Sequence, residues 1–104
     1  MAPVAKISPV SFSFHWLSNR GVTAPLGFTA GSARGAIKTE GDDVALVLAS
    51  QGTTAAAVFT TNQVKAAPVL VSAENLAKGK ARAIIVNAGN ANCCTGSRGL
   101  EGAR

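Results

Sequence analysis

The residues best suited to chemistry lie in one run, Ile84-Ile85-Val86-Asn87-Ala88-Gly89-Asn90-Ala91-Asn92-Cys93-Cys94-Thr95-Gly96-Ser97-Arg98-Gly99-Leu100. A strongly apolar stretch delivers the chain into a loop of three Asn and a Gly, and Thr95 then stands where a helix N-cap belongs. The first N–H groups of such a helix have no intrahelical partner and carry the positive end of the helix dipole. With no side chain on Gly96 to obstruct it, that end can hold a carboxylate, a phosphate or the oxyanion of a tetrahedral acyl-transfer intermediate. The same pattern also serves as a purely structural turn, and the residues alone leave both readings open. It is neither a Walker loop, which needs a Lys after the Gly, nor the dinucleotide Gly pattern.

A nucleophile to accompany that anion site is missing. Thr53, Thr54, Thr60 and Thr61 carry hydroxyls, but Thr is a poor nucleophile without an adjacent base or a free α-amine of its own. The carboxylates Asp42 and Asp43 are adjacent in a polar turn and are not spaced for acid/base work. Cys93 and Cys94 are neighbours; a bridge between them would close a strained ring, and with a single distant His15 they cannot complete a four-ligand zinc site. They are expected to be structural thiols in a reducing, intracellular setting, and His15 receives no role.

The elements that must position the Asn-rich run can be read from the punctuation around it. Phe28 to Ile37 is a small-residue strand in which Gly31 and Gly35 permit close backbone approach. After the turn Lys38-Thr39-Glu40-Gly41-Asp42, the segment Asp43 to Ser50 reads as a strand buried on both faces, because Val44 to Ala49 is continuously apolar. Ala55 to Thr61 is expected as a third strand that completes an antiparallel meander. Pro68 fits the first turn of a helix whose apolar positions are Val69, Ala73, Leu76 and Ala77 and which ends at Gly79, with a strand as the alternative because Val69 and Val71 are β-branched. Arg82 to Val86 is a clear strand, Asn87 to Cys94 a loop, and Thr95 opens a second helix. The order predicts an α/β layered domain.

Composition narrows the possibilities. The chain has 104 residues, room for one domain at most. Twenty Ala and eleven Gly leave only 27 larger apolar side chains, so the core needs close backbone packing or a partner surface. The net charge is +5, but the ten Lys and Arg are scattered and only Lys78, Lys80 and Arg82 cluster, beside Gly79 and with no aromatic residue to stack a base. A solvated turn is the simpler reading, and no nucleic-acid partner is expected. Residues 1–20 hold Lys6, Pro3, Pro9 and His15 among their apolar positions, so they form neither a signal-peptide core nor a membrane span.

Four blocks, Gly21-Val22-Thr23-Ala24-Pro25-Leu26-Gly27-Phe28, Ala55-Ala56-Ala57-Val58-Phe59-Thr60-Thr61-Asn62, Lys65-Ala66-Ala67-Pro68-Val69, and Val86 to Asn92 closing on Thr95-Gly96, together resemble the N-terminal part of the ornithine acetyltransferase family. These are the bifunctional glutamate N-acetyltransferases of arginine biosynthesis. The resemblance runs over 21–104; residues 1–20 do not match and are expected to be a flexible leader, and the domain is expected to continue past Arg104. It implies an αββα, Ntn-like precursor that cleaves itself before an internal Thr, which becomes the N-terminal nucleophile of a β chain. Acetyl would pass from N2-acetyl-L-ornithine through an acetyl-Thr intermediate to L-glutamate, with acetyl-CoA as a donor in some members and no cofactor. Thr95 and Gly96 would form the oxyanion hole, and two α and two β chains would assemble in the cytoplasm. The nucleophile motif ending in Met-Ala-Thr is absent here, so the chain alone is expected to be inactive. The alternative, from the residues alone, is a small basic anion-binding module that uses the helix N-terminus at Thr95.

Overall fold

The computed structural model describes residue 11 and residues 13–104, so eleven of the twenty residues of the expected leader lie outside the described residues. Five elements follow in order: β1 (Phe28–Ala33), β2 (Val44–Ala49), α1 (Ala67–Leu76), β3 (Ala83–Asn87) and α2 (Gly96–Ala103). The strands form one antiparallel sheet in the order β1-β2-β3. β2, the continuous apolar run, takes the centre, with Leu46 opposite Gly31 of β1 and Ile85 of β3.

Three sequence expectations change. The first strand stops at Ala33 and does not reach Ile37, because the next N–H groups turn away from the sheet toward the Asp43 carboxylate. Ala55 to Thr61 forms no strand. Both edges of β2 are already occupied, and the segment enters only through an isolated bridge between Thr54 and Lys80 and the Ala55 N–H donated to the Gly79 carbonyl at 2.9 Å. The β-branched run Ile84-Ile85-Val86 takes the third place in the sheet, where Ala55-Ala56-Ala57 has too little side chain to compete. Finally, β2 is not buried on both faces. Ala49 is buried, but Leu46 and Leu48 are 44% and 40% exposed, and Ile85 is 74% exposed.

The helices pack against each other and not on the sheet, so within this chain the expected layers do not meet face to face. α1 carries Pro68 in its first turn and half-buries Val69, Ala73 and Leu76, in line with the helical spacing. It ends at Leu76, three residues before Gly79, which adopts φ +65° and donates its N–H to the Leu76 carbonyl at 2.8 Å. Arg104 and Glu74 form an ion pair of 3.1 Å between the end of α2 and α1, with both side chains 58% exposed. Such an exposed pair contributes at most about 1 kcal/mol.

One buried polar residue organises the β1–β2 connection. The Asp43 carboxylate accepts N–H bonds from Gly35 at 2.5 Å, Ile37 at 2.6 Å and Lys38 at 2.8 Å, and Asp43 is only 3% exposed. Ala36, between the first two donors, sits at φ +59°, the left-handed conformation that lets successive N–H groups converge on one anion. A Cβ on Gly35 would press on the Val44 side chain at 2.8 Å, so this glycine permits the close approach expected of it. Gly31 meets nothing and faces open space. The backbone of Asp43 ties both neighbouring strands, donating to the Ala33 carbonyl at 3.2 Å and accepting from the Ala88 N–H at 2.8 Å.

The N–H bonds from Lys38 and Gly35 are the largest causes holding the Asp43 carboxyl below its ordinary value; burial opposes them, and the Ile37 N–H and the Lys38 charge assist. A depressed folded-state pKa contributes stability that is present above the ordinary carboxylate range and is lost as pH falls through the depressed value. Asp43→Asn is therefore expected to lower the urea midpoint at pH 7, and the gap to the unmodified protein should close as both are acidified. A gap independent of pH would show that the charge is not what stabilises the loop. The register makes a second prediction. Bonds from Ala88 N–H to Asp43 and from Ala49 N–H to Arg82 set the alternation, so Ile84 and Val86 amides face β2 and the Ile85 amide faces outward. Hydrogen exchange should be slow at Ile84 and Val86 and fast at Ile85; the reverse order would mean a register shifted by one residue.

Candidate functional site

β3 carries the chain directly from the Asp43 node into the Asn-rich loop. Asn87 closes the first turn by donating from Nδ2 to the Asn90 carbonyl at 3.1 Å. Gly89 adopts φ +97° and lies so close to Lys38 that a Cβ would collide with that side chain. The loop thus rests on the segment organised by the Asp43 carboxylate, and the chain reaches Cys94, at φ +56°, before α2 begins.

Thr95 occupies the N-cap of α2, at φ −99° and ψ 3°, but its side chain does not cap the helix. The hydroxyl instead donates to Oδ1 of Asn92. Asn92 in turn donates from Nδ2 to the Gly99 carbonyl at 2.7 Å, so one amide group clamps the cap residue to the second turn of the helix. The clamp needs Gly99, because a Cβ there would overlap the Thr95 side chain and Asn92 Oδ1. The first bond into the helix runs from the Gly99 N–H to the Thr95 carbonyl at 3.3 Å, and the N–H groups of Gly96, Ser97 and Arg98 stand ahead of it. With the Thr95 hydroxyl turned away, no cap oxygen occupies those donors. Gly96 contributes by conformation and not by leaving room: it sits at φ +60°, and a Cβ there would meet open space.

Two of the residues that carry these groups, Gly96 and Ser97, line a cleft of about 260 Å³ between the starts of α1 and α2. Lys65, Ala67 and Leu70 form one side, and Cys94, Thr95, Gly96, Ser97 and Leu100 the other. The volume falls just short of the roughly 300–1,000 Å³ of complete small-molecule sites. A smaller hollow of about 130 Å³ lies at Ser32, Asp42, Asp43 and Asn87, where Asp43 is fully engaged in structure and the Ser32 hydroxyl donates to Asp42. Among the described residues, no group of three or more His, Cys, Asp or Glu is placed to hold a metal ion. No described helix is long and apolar enough to cross a membrane.

The structure therefore brings Thr95 and Gly96 together at one cleft wall, and it adds Asn92, Gly99 and Lys65, to which the sequence assigned no function. The three-residue interval from Asn92 to Thr95 is the only trace of their bond in the sequence, and the partner of the Asn amide appears only once α2 is folded. Thr53 is spent on the Ser50 carbonyl at 2.7 Å, and the Thr60 hydroxyl accepts the Asn62 N–H at 3.1 Å.

A model of the ArgJ family matches residues 29–104. The chain belongs to the ArgJ family. It is 47% identical over 83 residues to the arginine biosynthesis bifunctional protein ArgJ of Caldanaerobacter subterraneus, covering 80% of this chain and 21% of that protein. The ArgJ protein of Geobacter sulfurreducens is 51% identical over 79 residues, 75% of this chain and 20% of its own length. Among solved structures, ornithine acetyltransferase from Mycobacterium tuberculosis in complex with ornithine superposes with a TM-score of 0.77 at 47% identity, covering 84% of this chain and 46% of that one. The Bacillus halodurans ArgJ structure gives 0.79 at 41% identity with the same coverage. This ArgJ-family chain spans about a fifth of the length of those curated relatives, and its antiparallel sheet and paired helices have the arrangement of the solved ArgJ proteins over the shared region.

The clamp yields a paired test. Gly99→Ala is expected to destabilise the protein by about 1–3 kcal/mol, because the new methyl must displace Thr95 or Asn92. Gly102→Ala, whose methyl enters open space on the same helix, should instead stabilise it by up to about 1 kcal/mol. Urea unfolding of both variants measures the contrast, and equal effects would rule out the clamp.

Proposed function

We propose that this chain is the N-terminal portion of a bifunctional glutamate N-acetyltransferase, which transfers acetyl from N2-acetyl-L-ornithine to L-glutamate in L-arginine biosynthesis. Family membership supports the reaction class, and one structural observation supports the role within it: a helix N-terminus at Thr95–Gly96 whose own cap hydroxyl is turned away. In this reading the nucleophile is the N-terminal Thr of a β chain, exposed by autocatalytic cleavage of an Ntn-like αββα precursor. Its α-amine accepts the hydroxyl proton as Oγ attacks the acetyl carbonyl. The carbonyl oxygen becomes an oxyanion held by N–H donors at Thr95 and Gly96; collapse breaks the C–N bond and expels ornithine with the returned proton. Glutamate then attacks the acetyl-Thr ester through its amine, across the same oxyanion site. Acetyl-CoA is the second donor this reading admits, with no cofactor.

The incomplete cleft and the open sheet fit that division of labour. A cleft of about 260 Å³ that carries N–H donors but not the N-terminal Thr is half a site in this reading, and the exposed Leu46, Leu48 and Ile85 provide apolar surface for the rest of the enzyme to cover. We place the assembled enzyme, two α and two β chains, in the cytoplasm.

The test is acetyl transfer from N2-acetyl-L-ornithine to L-glutamate. The 104-residue chain by itself should show none, whereas a complete acetyltransferase carrying these residues should be active. In that enzyme Thr95→Pro removes a backbone donor and forces Cys94 away from its left-handed φ, and should lower kcat by about 100- to 1,000-fold. Thr95→Ser keeps both the N–H and the hydroxyl for Asn92, and should retain most of the activity. Unchanged turnover in the Pro variant would remove the oxyanion assignment.

A further inference from the structure

The adjacent thiols have an outcome different from the structural role their sequence suggested. Cys93 and Cys94 are both free and both exposed, and Cys94 lines the cleft beside Thr95 and Gly96. Successive side chains on an extended strand point to opposite faces. Here the left-handed φ of +56° at Cys94 breaks that alternation at a bend, on a segment anchored by Asn92 on one side and by α2 on the other. Two sulfur donors without a third or fourth ligand do not suit a tetrahedral metal, and among the described residues no third His, Cys, Asp or Glu joins them. The donor count suits a soft, three-coordinate centre that exchanges two of its substituents for thiols.

We infer that Cys93 and Cys94 form a dithiol site for a monosubstituted trivalent arsenical, held at the mouth of the Thr95–Gly96 cleft. The organoarsonous acid R–As(OH)₂ loses two As–O bonds and the cysteines lose two S–H bonds. Two As–S bonds form, and two water molecules leave with the thiol protons. Arsenic stays trivalent throughout, so no oxidant or reductant is required. The product ring is one atom larger than the strained ring of a vicinal disulfide, which removes the objection to linking neighbouring cysteines. The second thiol acts at the effective concentration of a very short tether, and this intramolecular closure separates the pair from any single cysteine. The site stands whether or not the chain takes part in acetyl transfer.

The probe is phenylarsine oxide, hydrated in buffer to the arsonous acid and added to the full chain in the presence of millimolar monothiol competitor. One phenylarsenic group per chain should be retained by mass spectrometry, and both cysteines should lose reactivity toward a thiol reagent together. Cys93→Ala and Cys94→Ala should each weaken retention by roughly 100-fold or more. Amide resonances of Gly96, Ser97 and Leu70, across the cleft, should shift in the unmodified chain on capture. Equal retention by either single-cysteine variant, or release of the unmodified chain's adduct by monothiol, overturns the dithiol site. Capture with no movement at Gly96, Ser97 and Leu70 overturns its placement at the cleft.

Discussion

The fold turns on a carboxylate buried among backbone N–H groups. Asp43 is the only buried charged residue among those described, and an unpaired charge at 3% exposure would be strongly unfavourable. Its partners are three main-chain donors, so the compensation comes from backbone shape and not from a counter-ion. That shape requires Ala36 in a left-handed conformation and Gly35 against Val44. The same residue then passes its order onward: its carbonyl receives Ala88, Gly89 lies on Lys38, and the Asn-rich loop leaves the sheet from a fixed platform. The cleft residues lie several turns of chain away from Asp43, yet their starting direction is set there.

How much of this was legible in sequence depended on whether the deciding contact was local. The helix opening at Pro68, though not its end at Leu76, a strand through Ile84 to Val86 and the start of α2 at Thr95 were visible, because period, proline position and cap type act within a few residues. The four-block resemblance also led to the ArgJ family. The errors arose where a distant group decided the outcome. Ala55 to Thr61 has acceptable strand residues, but β3 occupies the edge it would need. Asp42 and Asp43 looked like an ordinary solvated turn, and nothing in their immediate neighbours announced that one would be buried by Gly35, Ile37 and Lys38. Thr95 was correctly placed as a cap residue, while the rotation of its hydroxyl to Asn92 depends on a carbonyl seven residues beyond that Asn.

The cleft is built with its polarity already in position. Helix N-termini usually satisfy one or two leading N–H groups with the cap side chain. Here the hydroxyl is bonded elsewhere, and the Asn92 amide fixes it there by gripping Gly99. The leading N–H groups are therefore left without a cap oxygen at the positive end of the helix dipole. Lys65 adds a cation to the opposite wall.

The open sheet has a consequence for the life of the chain in solution. β3 presents an unpaired outer edge rich in β-branched residues, and β1 presents another, each a template on which a second polypeptide can form hydrogen bonds. Chains with such edges survive at low concentration, or beside charges that oppose stacking. Lys80 and Arg82 stand immediately before the run Ala83-Ile84-Ile85-Val86, and the whole molecule carries a net charge of +5. The excess of basic residues thus acts as a guard: mutual repulsion opposes the pairing of uncovered strands from separate chains.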